Sequence, residues 1–435
     1  MKFIANSTSI KAGILTGIAL LLLIPLSLLD SLVKERTTQR DSTVQSVARG
    51  WGDRQWVGGP VLAIPVTTDS GPSNTRDWYV LPDRLDVTVE LQVQDARRRL
   101  GLYDVPVYVA RVHATGEFDL VRELTHLTRG DASLHPHVDQ ARLLLPIRDP
   151  RGLRNVTSRT QDFNDFEPYS GFPLLAVAAP LNVPANASGV PHAFDLSFDV
   201  AGTQSLEFLP LARVMSVQAH GNWSDPGFTD GLLPVEREID ARGFTAKWQV
   251  LNLNRTYGDR WFQDSPSAAA LMASGFGVEL VQPVDIYQRA TRAVKYGGLF
   301  VALSFFTLFL FETLQRRPIH PIQYGLMGLA LSMFYLLLLA LAEHIGFLWA
   351  YVLATAALCS LISVYLAGAL RSARAGIVSG IVFAATYSVL YLLVTSESYA
   401  LLAGALALFS LLATTMFVTR KIDWYAERAF PDAGV

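Results

Sequence analysis

Cysteine is all but missing: Cys359 stands alone in 435 residues, so no disulfide can form within one chain. It lies inside an apolar run, which leaves the long polar stretch before it to be held by an ordinary hydrophobic core. An excess of either charge is lacking as well. Lys and Arg number 36 against 38 Asp and Glu, a net charge of −2, so nothing suggests a nucleic-acid partner, which would call for a basic face. There is no His-Glu-x-x-His, no Gly-x-Ser-x-Gly, no Walker loop and no Cys pair. No enzymatic activity is therefore expected, and no catalytic, cofactor-binding or metal residue is assigned. Between Tyr296 and Thr419, finally, only seven charged side chains interrupt five long apolar segments.

Those segments run Gly297 to Leu314, Ile322 to Ala342, Phe347 to Leu370, Ile377 to Thr395 and Tyr399 to Val418. Each is long enough to cross a hydrocarbon core of about 30 Å as a helix rising about 1.5 Å per residue. Arg316, Arg317, Arg371 and Arg374 occupy two loops, and Glu343 and Glu397 the two between them. Loops rich in Arg stay inside, so residues 315–321 and 371–375 are cytoplasmic and Glu343-His344 and Ser396-Glu397-Ser398 lie outside. A sixth segment, Ala12 to Leu29, follows Lys2 and Lys11. It is longer than a signal-peptide core and lacks a small-x-small cleavage site, so it reads as an uncleaved anchor. Lys34, Arg36 and Arg40 beyond it argue for the opposite orientation, but parity from the C-terminal segments outweighs them.

The expected fold is a membrane protein: an α-helical bundle of one N-terminal plus five C-terminal transmembrane helices, with a large β-rich, sandwich-like periplasmic domain. Residues 1–11 and 419–435 are cytoplasmic, 12–29 form the anchor, 30–296 lie outside and 297–418 form the bundle. Ser31 to Gly50 continues the anchor as a helix that stops at Gly50 or Gly52. Beyond Pro60 the period becomes two: Val87, Val89, Leu91 and Val93 alternate with polar residues, as do Phe194 to Val200 and Phe244 to Val250. Such alternation indicates antiparallel strands with one buried face. A strand, Val105-Pro106-Val107 and Gly116-Glu117-Phe118 are echoed by a strand, Leu209-Pro210-Leu211 and Gly221-Asn222-Trp223. The echo reads either as two related modules joined near residues 184–191 or as ordinary recurrence within one β domain.

Candidate chemistry is sparse. His135-Pro136-His137 with Asp139 is the one dense group of metal-ligating residue types, but spacing specifies no further ligand. Glu343-His344 is either a proton site or an interfacial cap on a tight hairpin. Glu312 is one turn from Arg316 and suits an ion pair. His320 and His344 lie at opposite ends of one segment, about 30 Å apart. Ser332, Ser360 and Ser363 have no imidazole partner in the sequence. Gly13-x-x-x-Gly17 and Gly376-x-x-x-Gly380 permit close helix approach, so the anchor is expected against the segment with the second pair.

Several strings together resemble the CreD family of bacterial inner-membrane proteins, described as cell envelope integrity proteins. They are Trp51-Gly52-Asp53-Arg54-Gln55, Gly59-Pro60-Val61-Leu62, Gly101 to Tyr108, Asp149-Pro150-Arg151-Gly152-Leu153, and Trp223 through Leu233-Pro234-Val235-Glu236-Arg237-Glu238-Ile239 to Trp248. Gln282 to Gln288, Pro318 to Tyr324, Glu343 to Phe347 and Lys421 to Tyr425 complete the series. The resemblance implies an inner-membrane protein linked to envelope integrity and stress response, with no catalytic residues to carry over.

The reading that follows is a non-enzymatic protein of the bacterial inner membrane, N- and C-termini cytoplasmic, that acts through its periplasmic β domain. The alternative is a small-molecule or lipid transporter or flippase in which Glu343-His344, Glu312 and the His320 loop line a path through the bundle. Expected partners are membrane lipids, with periplasmic or envelope components or other inner-membrane proteins, and no nucleic acid. No cofactor is expected.

Overall fold

The computed structural model describes residues 8–69, 71–94, 98–100, 103–160, 166–181, 192–228, 231–263, 265–281, 286–315 and 319–396, with scattered positions between 402 and 420. In chain order it begins with helices α1 (Thr8–Leu21) and α2 (Leu23–Trp51) and strands β1 (Gln55–Gly58), β2 (Val61–Thr68), β3 (Gly71–Val80) and β4 (Arg84–Val93). β5 (Arg98–Leu100) and β6 (Tyr103–Val105) make a small hairpin before β7 (Val107–Phe118) and α3 (Leu120–Gly130). Then come β8 (Leu134–Pro136), β9 (Arg142–Pro146), β10 (Leu153–Ser158), β11 (Glu167–Tyr169), β12 (Ala176–Pro180) and β13 (His192–Thr203). β14 (Ser205–Leu209), β15 (Val214–Gly221), β16 (Pro226–Phe228), β17 (Glu236–Asp240), β18 (Gly243–Leu251), β19 (Arg260–Phe262), α4 (Ala268–Met272) and β20 (Phe276–Leu280) follow. The last described helices are α5 (Ile286–Gln315), α6 (Pro321–Ile345), α7 (Phe347–Ala369) and α8 (Ala373–Thr395). Two compact units result, residues 1–39 with 284–435 and residues 40–283.

The second unit is built on three sheets, ordered β1-β14-β20-β16, β10-β13-β7-β4-β15-β18-β17 and β11-β12-β9-β2-β3-β19. In the seven-stranded sheet the alternation seen in the sequence becomes alternation in burial. Val87, Val89, Leu91 and Val93 are buried along β4, as are Phe194, Leu196, Phe198 and Val200 on β13 and Phe244, Ala246, Trp248 and Val250 on β18. They enter a core shared with the other two sheets, in which Val57, Ile64, Trp78, Leu145, Phe208 and Phe276 take part. The pairing is mainly antiparallel, as expected, but β4 with β15 and β1 with β14 run parallel. Each parallel pair joins strands that are distant in sequence, which allows the crossover that parallel pairing requires.

The inner strands of the six-strand path, β12, β9 and β2, are buried on both faces. Leu62, Ile64, Leu143 and Leu145 face the shared core. Val61, Ala63, Leu144 and Tyr79 face a second core with Phe172, Leu211, Tyr257 and Trp261. Of the two readings of the echo, separate modules joined near residues 184–191 do not form: β13 and β15, which carry the second copy, flank β4 and β7, which carry the first, in one sheet. Residues 182–191 themselves lie outside the described residues.

Gly13–Trp51, which starts in the first unit, and Ile286–Phe309, Pro321–Ile345, Phe347–Ala369 and Ala373–Thr395 within it are long and apolar enough to cross a membrane. They expose Ile322, Met333, Leu353, Val364, Ile377 and Ile381, a surface suited to lipid rather than water. The expected segment Tyr399 to Val418 lies mostly outside the described residues. α1 and α2 meet at Leu22, just ahead of Pro25, which has no amide to continue the ladder. α5 begins eleven residues before the apolar segment read from the sequence, because Ile286 to Tyr296 is helical although polar.

The glycine pairs act differently from the expectation. No described atom approaches a Cβ placed at Gly13 or Gly17, whereas one at Gly376 would stand 2.6 Å from the Ser363 carbonyl oxygen of α7. Gly376 and Gly380 thus bring α8 against α7. The N-terminal segment is received instead by Gly297 of α5 and Gly328 of α6, where added Cβ atoms would lie 3.0 Å from Leu26 and 2.1 Å from Leu22.

Candidate functional site

The outward face of the seven-stranded sheet carries three rows of polar side chains set by strand register. The first crosses six strands as Asp199, Arg111, Glu90, His220, Thr245 and Glu238. The second is Ser197, His113, Thr88, Gln218, Lys247 and Glu236, and the third Asp195, Thr115, Asp86, Ser216 and Gln249. All are exposed or half-buried. With strands about 4.8 Å apart, a six-strand row is about 24 Å long.

Neighbours within the rows interact as cross-strand pairs do. Arg111 lies 3.2 Å from Glu90 and 3.8 Å from Asp199, Lys247 lies 4.0 Å from Glu236, and His220 Nδ1 lies 3.0 Å from the Thr245 hydroxyl. Six carboxylates stand in the rows against Arg111 and Lys247, with Arg84, on the same side of β4, 2.7 Å from Asp86. The face is thus acidic overall, and its partial ion pairing keeps the side chains ordered without neutralising them. Such a surface suits a partner presenting cations or hydrogen-bond donors.

Register also gathers a serine, a histidine and an aspartate that lie far apart in sequence. His113 Nδ1 is 2.9 Å from Ser197 Oγ and 3.6 Å from Asp195 Oδ1. A catalytic triad needs the hydroxyl on one ring nitrogen and the carboxylate on the other. Here both meet Nδ1, so the aspartate cannot orient the imidazole as a base toward the serine. The group belongs to the polar rows.

Where the strings of the N-terminal half meet, they form a brace. Gln55, 1% exposed, donates through Nε2 to the carbonyls of Asp149 (3.2 Å) and Ala201 (3.1 Å), and accepts from the Asp149 amide at 3.2 Å. Arg151 grips the Asp149 carboxylate at 2.8 and 2.9 Å and holds its pKa below the usual range. Trp51 donates to the Tyr108 carbonyl at 3.1 Å, under the Arg154 guanidinium at 5.0 Å. These contacts build the fold and leave no reactive group exposed.

His135 and His137 do not converge. His135 Nε2 lies 2.7 Å from Asp69, and His137 Nε2 lies 3.0 Å from the Thr67 hydroxyl. Asp139 sits in the short helical turn Val138–Gln140. No group of three metal-ligating side chains forms among the described residues.

The bundle candidates separate along α6. His320 caps its start, accepting the Ile322 amide at 3.2 Å while Gln323 accepts the His320 amide at 3.0 Å, a capping box in which imidazole replaces the usual hydroxyl. Glu312 accepts from the Tyr324 hydroxyl at 2.8 Å; its expected partner Arg316 lies outside the described residues. Glu343, its side chain 9% exposed, accepts from the Tyr287 hydroxyl at 3.1 Å and lies 3.8 Å from Arg36. His344 is exposed. Tyr324 and Glu343 are about five turns of α6 apart, roughly 28 Å, so these groups do not line one path. Ser332 and Ser360 bond carbonyls of their own helices.

The polar rows were not foreseen in the sequence. Alternation marked which residues of each strand face outward, but strand order decides which of them become neighbours.

A family model described as Inner membrane protein CreD matches residues 7–425. The protein described as Inner membrane protein CreD from Escherichia coli (strain K12) is 31% identical over 430 residues, covering 96% of this chain and 93% of that protein.

Proposed function

The chain belongs to the CreD family of inner membrane proteins, and from that membership we propose a non-enzymatic role in envelope integrity and envelope stress response. The β unit works outside the inner membrane and the helices anchor it, with both chain termini in the cytoplasm. Its working surface is the acidic face of the seven-stranded sheet, which binds an envelope component carrying cationic or donor groups. The observation that carries this reading is the registration of Asp199, Arg111, Glu90, His220, Thr245 and Glu238 into one outward row. Orientation follows from the alternation of Arg and Glu loops.

The test is complementation of a deletion strain under detergent, antibiotic and bacteriocin challenge. Deletion is expected to sensitise the envelope, and the wild-type chain to restore it. A chain with Glu90→Gln, Arg111→Gln and Asp199→Asn, present in the membrane at the same level, is expected to fail. An unchanged envelope in the deletion strain overturns the role, and full rescue by the triple variant overturns the surface. Alkaline phosphatase fused after Val281 should be active, and fused after Arg371 inactive.

A further inference from the structure

At the end of the bundle from which the chain leaves for residues 40–283, α5 opens with three cations in three turns: Arg289, Arg292 and Lys295. The Arg289 guanidinium stands 5.4 Å from the centroid of the Phe347 ring. Its Nε is shut off from solvent and has no hydrogen-bond partner. A guanidinium held on an aromatic face keeps its charge and remaining N–H donors for something else. Glu343, the nearly buried carboxylate at this end, is already committed to Tyr287 and Arg36.

Phe347 is also the first residue of α7. The residue before it, Gly346, has φ of 80° and supplies no side-chain cap. The positive end of a long helix therefore lies beside a cation that lacks a carboxylate partner among the described residues, an arrangement that favours an anion. Leu348 and Trp349 follow at once, 50% and 63% exposed, and an exposed tryptophan at a span's end marks headgroup depth. Lys295 is exposed one to two turns further along α5. In the orientation proposed above this end is extracytoplasmic, where a cation close to a span is disfavoured, so Arg289 there calls for a compensating anion.

We propose that Arg289, with the first turn of α7, binds the phosphate of an anionic phospholipid headgroup, while Leu348 and Trp349 lie against the lipid's glycerol and upper acyl region. Arginine suits this task because its planar donors engage two phosphate oxygens together. The inference rests on the membrane-spanning reading of the helices and is independent of the polar sheet face.

The test uses the full chain in nanodiscs of mixed phosphatidylglycerol and phosphatidylcholine, with retained lipids counted by native mass spectrometry. Wild type is expected to retain phosphatidylglycerol preferentially, and Arg289→Gln to lower that preference about fivefold. Arg289→Lys should keep part of it, and Arg374→Gln, at the other end of the bundle, all of it. Equal preference in wild type and Arg289→Gln overturns the proposal, as does equal loss in Arg289→Gln and Arg374→Gln. If inorganic phosphate displaces the retained lipid, the site takes a free anion and the lipid assignment falls. Recovery of each variant in the membrane fraction is measured in parallel, which separates failure of this site from failure of the membrane reading.

Discussion

Gln55 and Asp149, 94 residues apart, exchange hydrogen bonds as a pair of strand residues would: the Asp149 amide donates to Gln55 Oε1, and Gln55 Nε2 donates to the Asp149 carbonyl, each at 3.2 Å. A side chain here replaces a backbone partner in a buried place. Gln55→Ala removes both bonds and the one to the Ala201 carbonyl. With each buried polar group left unmet costing about 1–3 kcal/mol, a loss of at least about 2 kcal/mol is expected. Denaturant unfolding of the full chain in micelles, followed by tryptophan fluorescence, measures it. A loss under about 0.5 kcal/mol, the scale of an ordinary surface change, removes the brace from the account.

Gly52 ends α2 with φ of 141°, and a Cβ there would stand 2.3 Å from the Ala201 carbonyl oxygen. Both the backbone angle and the space exclude a side chain. Gly52→Ala is expected to destabilise the chain by more than 1 kcal/mol, whereas Gly50→Ala, whose Cβ meets nothing, should be neutral or slightly stabilising, since alanine favours a helix by up to about 1 kcal/mol. The contrast between their melting temperatures is the measurement.

Acid should weaken the β unit in two stages. Burial pushes the His192 pKa down, so its contribution is complete above the unfolded value near 6.5 and is lost as pH falls below it. Arg151 holds Asp149 below the usual carboxylate range, so its contribution is complete above about 3.9 and is lost below. Burial raises Glu207, which works in the opposite sense and favours the fold as pH drops. Comparing wild type with His192→Gln cancels the Glu207 effect. The variant should lose less stability between pH 7 and 5 and the same amount below pH 4. Parallel curves through the upper range would show that His192 does not titrate with folding.

Tyr287→Phe removes the hydroxyl that donates to Glu343 while keeping the ring. Hydrogen bonds to charged groups are worth about 1.5–3 kcal/mol, and Arg36 at 3.8 Å does not replace the bond. A lower melting temperature in micelles is expected, largely recovered when Glu343→Gln is added, because a neutral amide needs the donor less. Additive losses in the double variant would show that the two residues do not act together.

How much was legible depended on whether a segment had a contrasting face. β4, β13 and β18 alternate cleanly because one side meets the core and the other meets water, and their buried residues could be named from sequence. β2, β9 and β12 could not, because both of their sides are buried and Val61 to Ile64 or Leu143 to Leu145 show no period. α3 was also unforeseen: eleven residues capped by Asp119, whose carboxylate accepts the Arg122 amide at 3.0 Å. The membrane segments were legible because apolar length and charge are local properties. The polar rows were not, since each pairs residues from up to six strands.

The two-sided burial of the sheet through β2 and β9 bears on its alignment. In a half-exposed strand a one-residue slip is punished at once, because it turns the apolar side to water. For Leu143, Leu144 and Leu145 a slip would only trade one apolar surrounding for the other, so burial alone sets their register weakly. Alignment must then be imposed from beyond the strand's end, and it is there, at the Val57–Ile147 bridge and the Gln55–Asp149 exchange, that a polar lock holds a strand that hydrophobicity leaves free to slide.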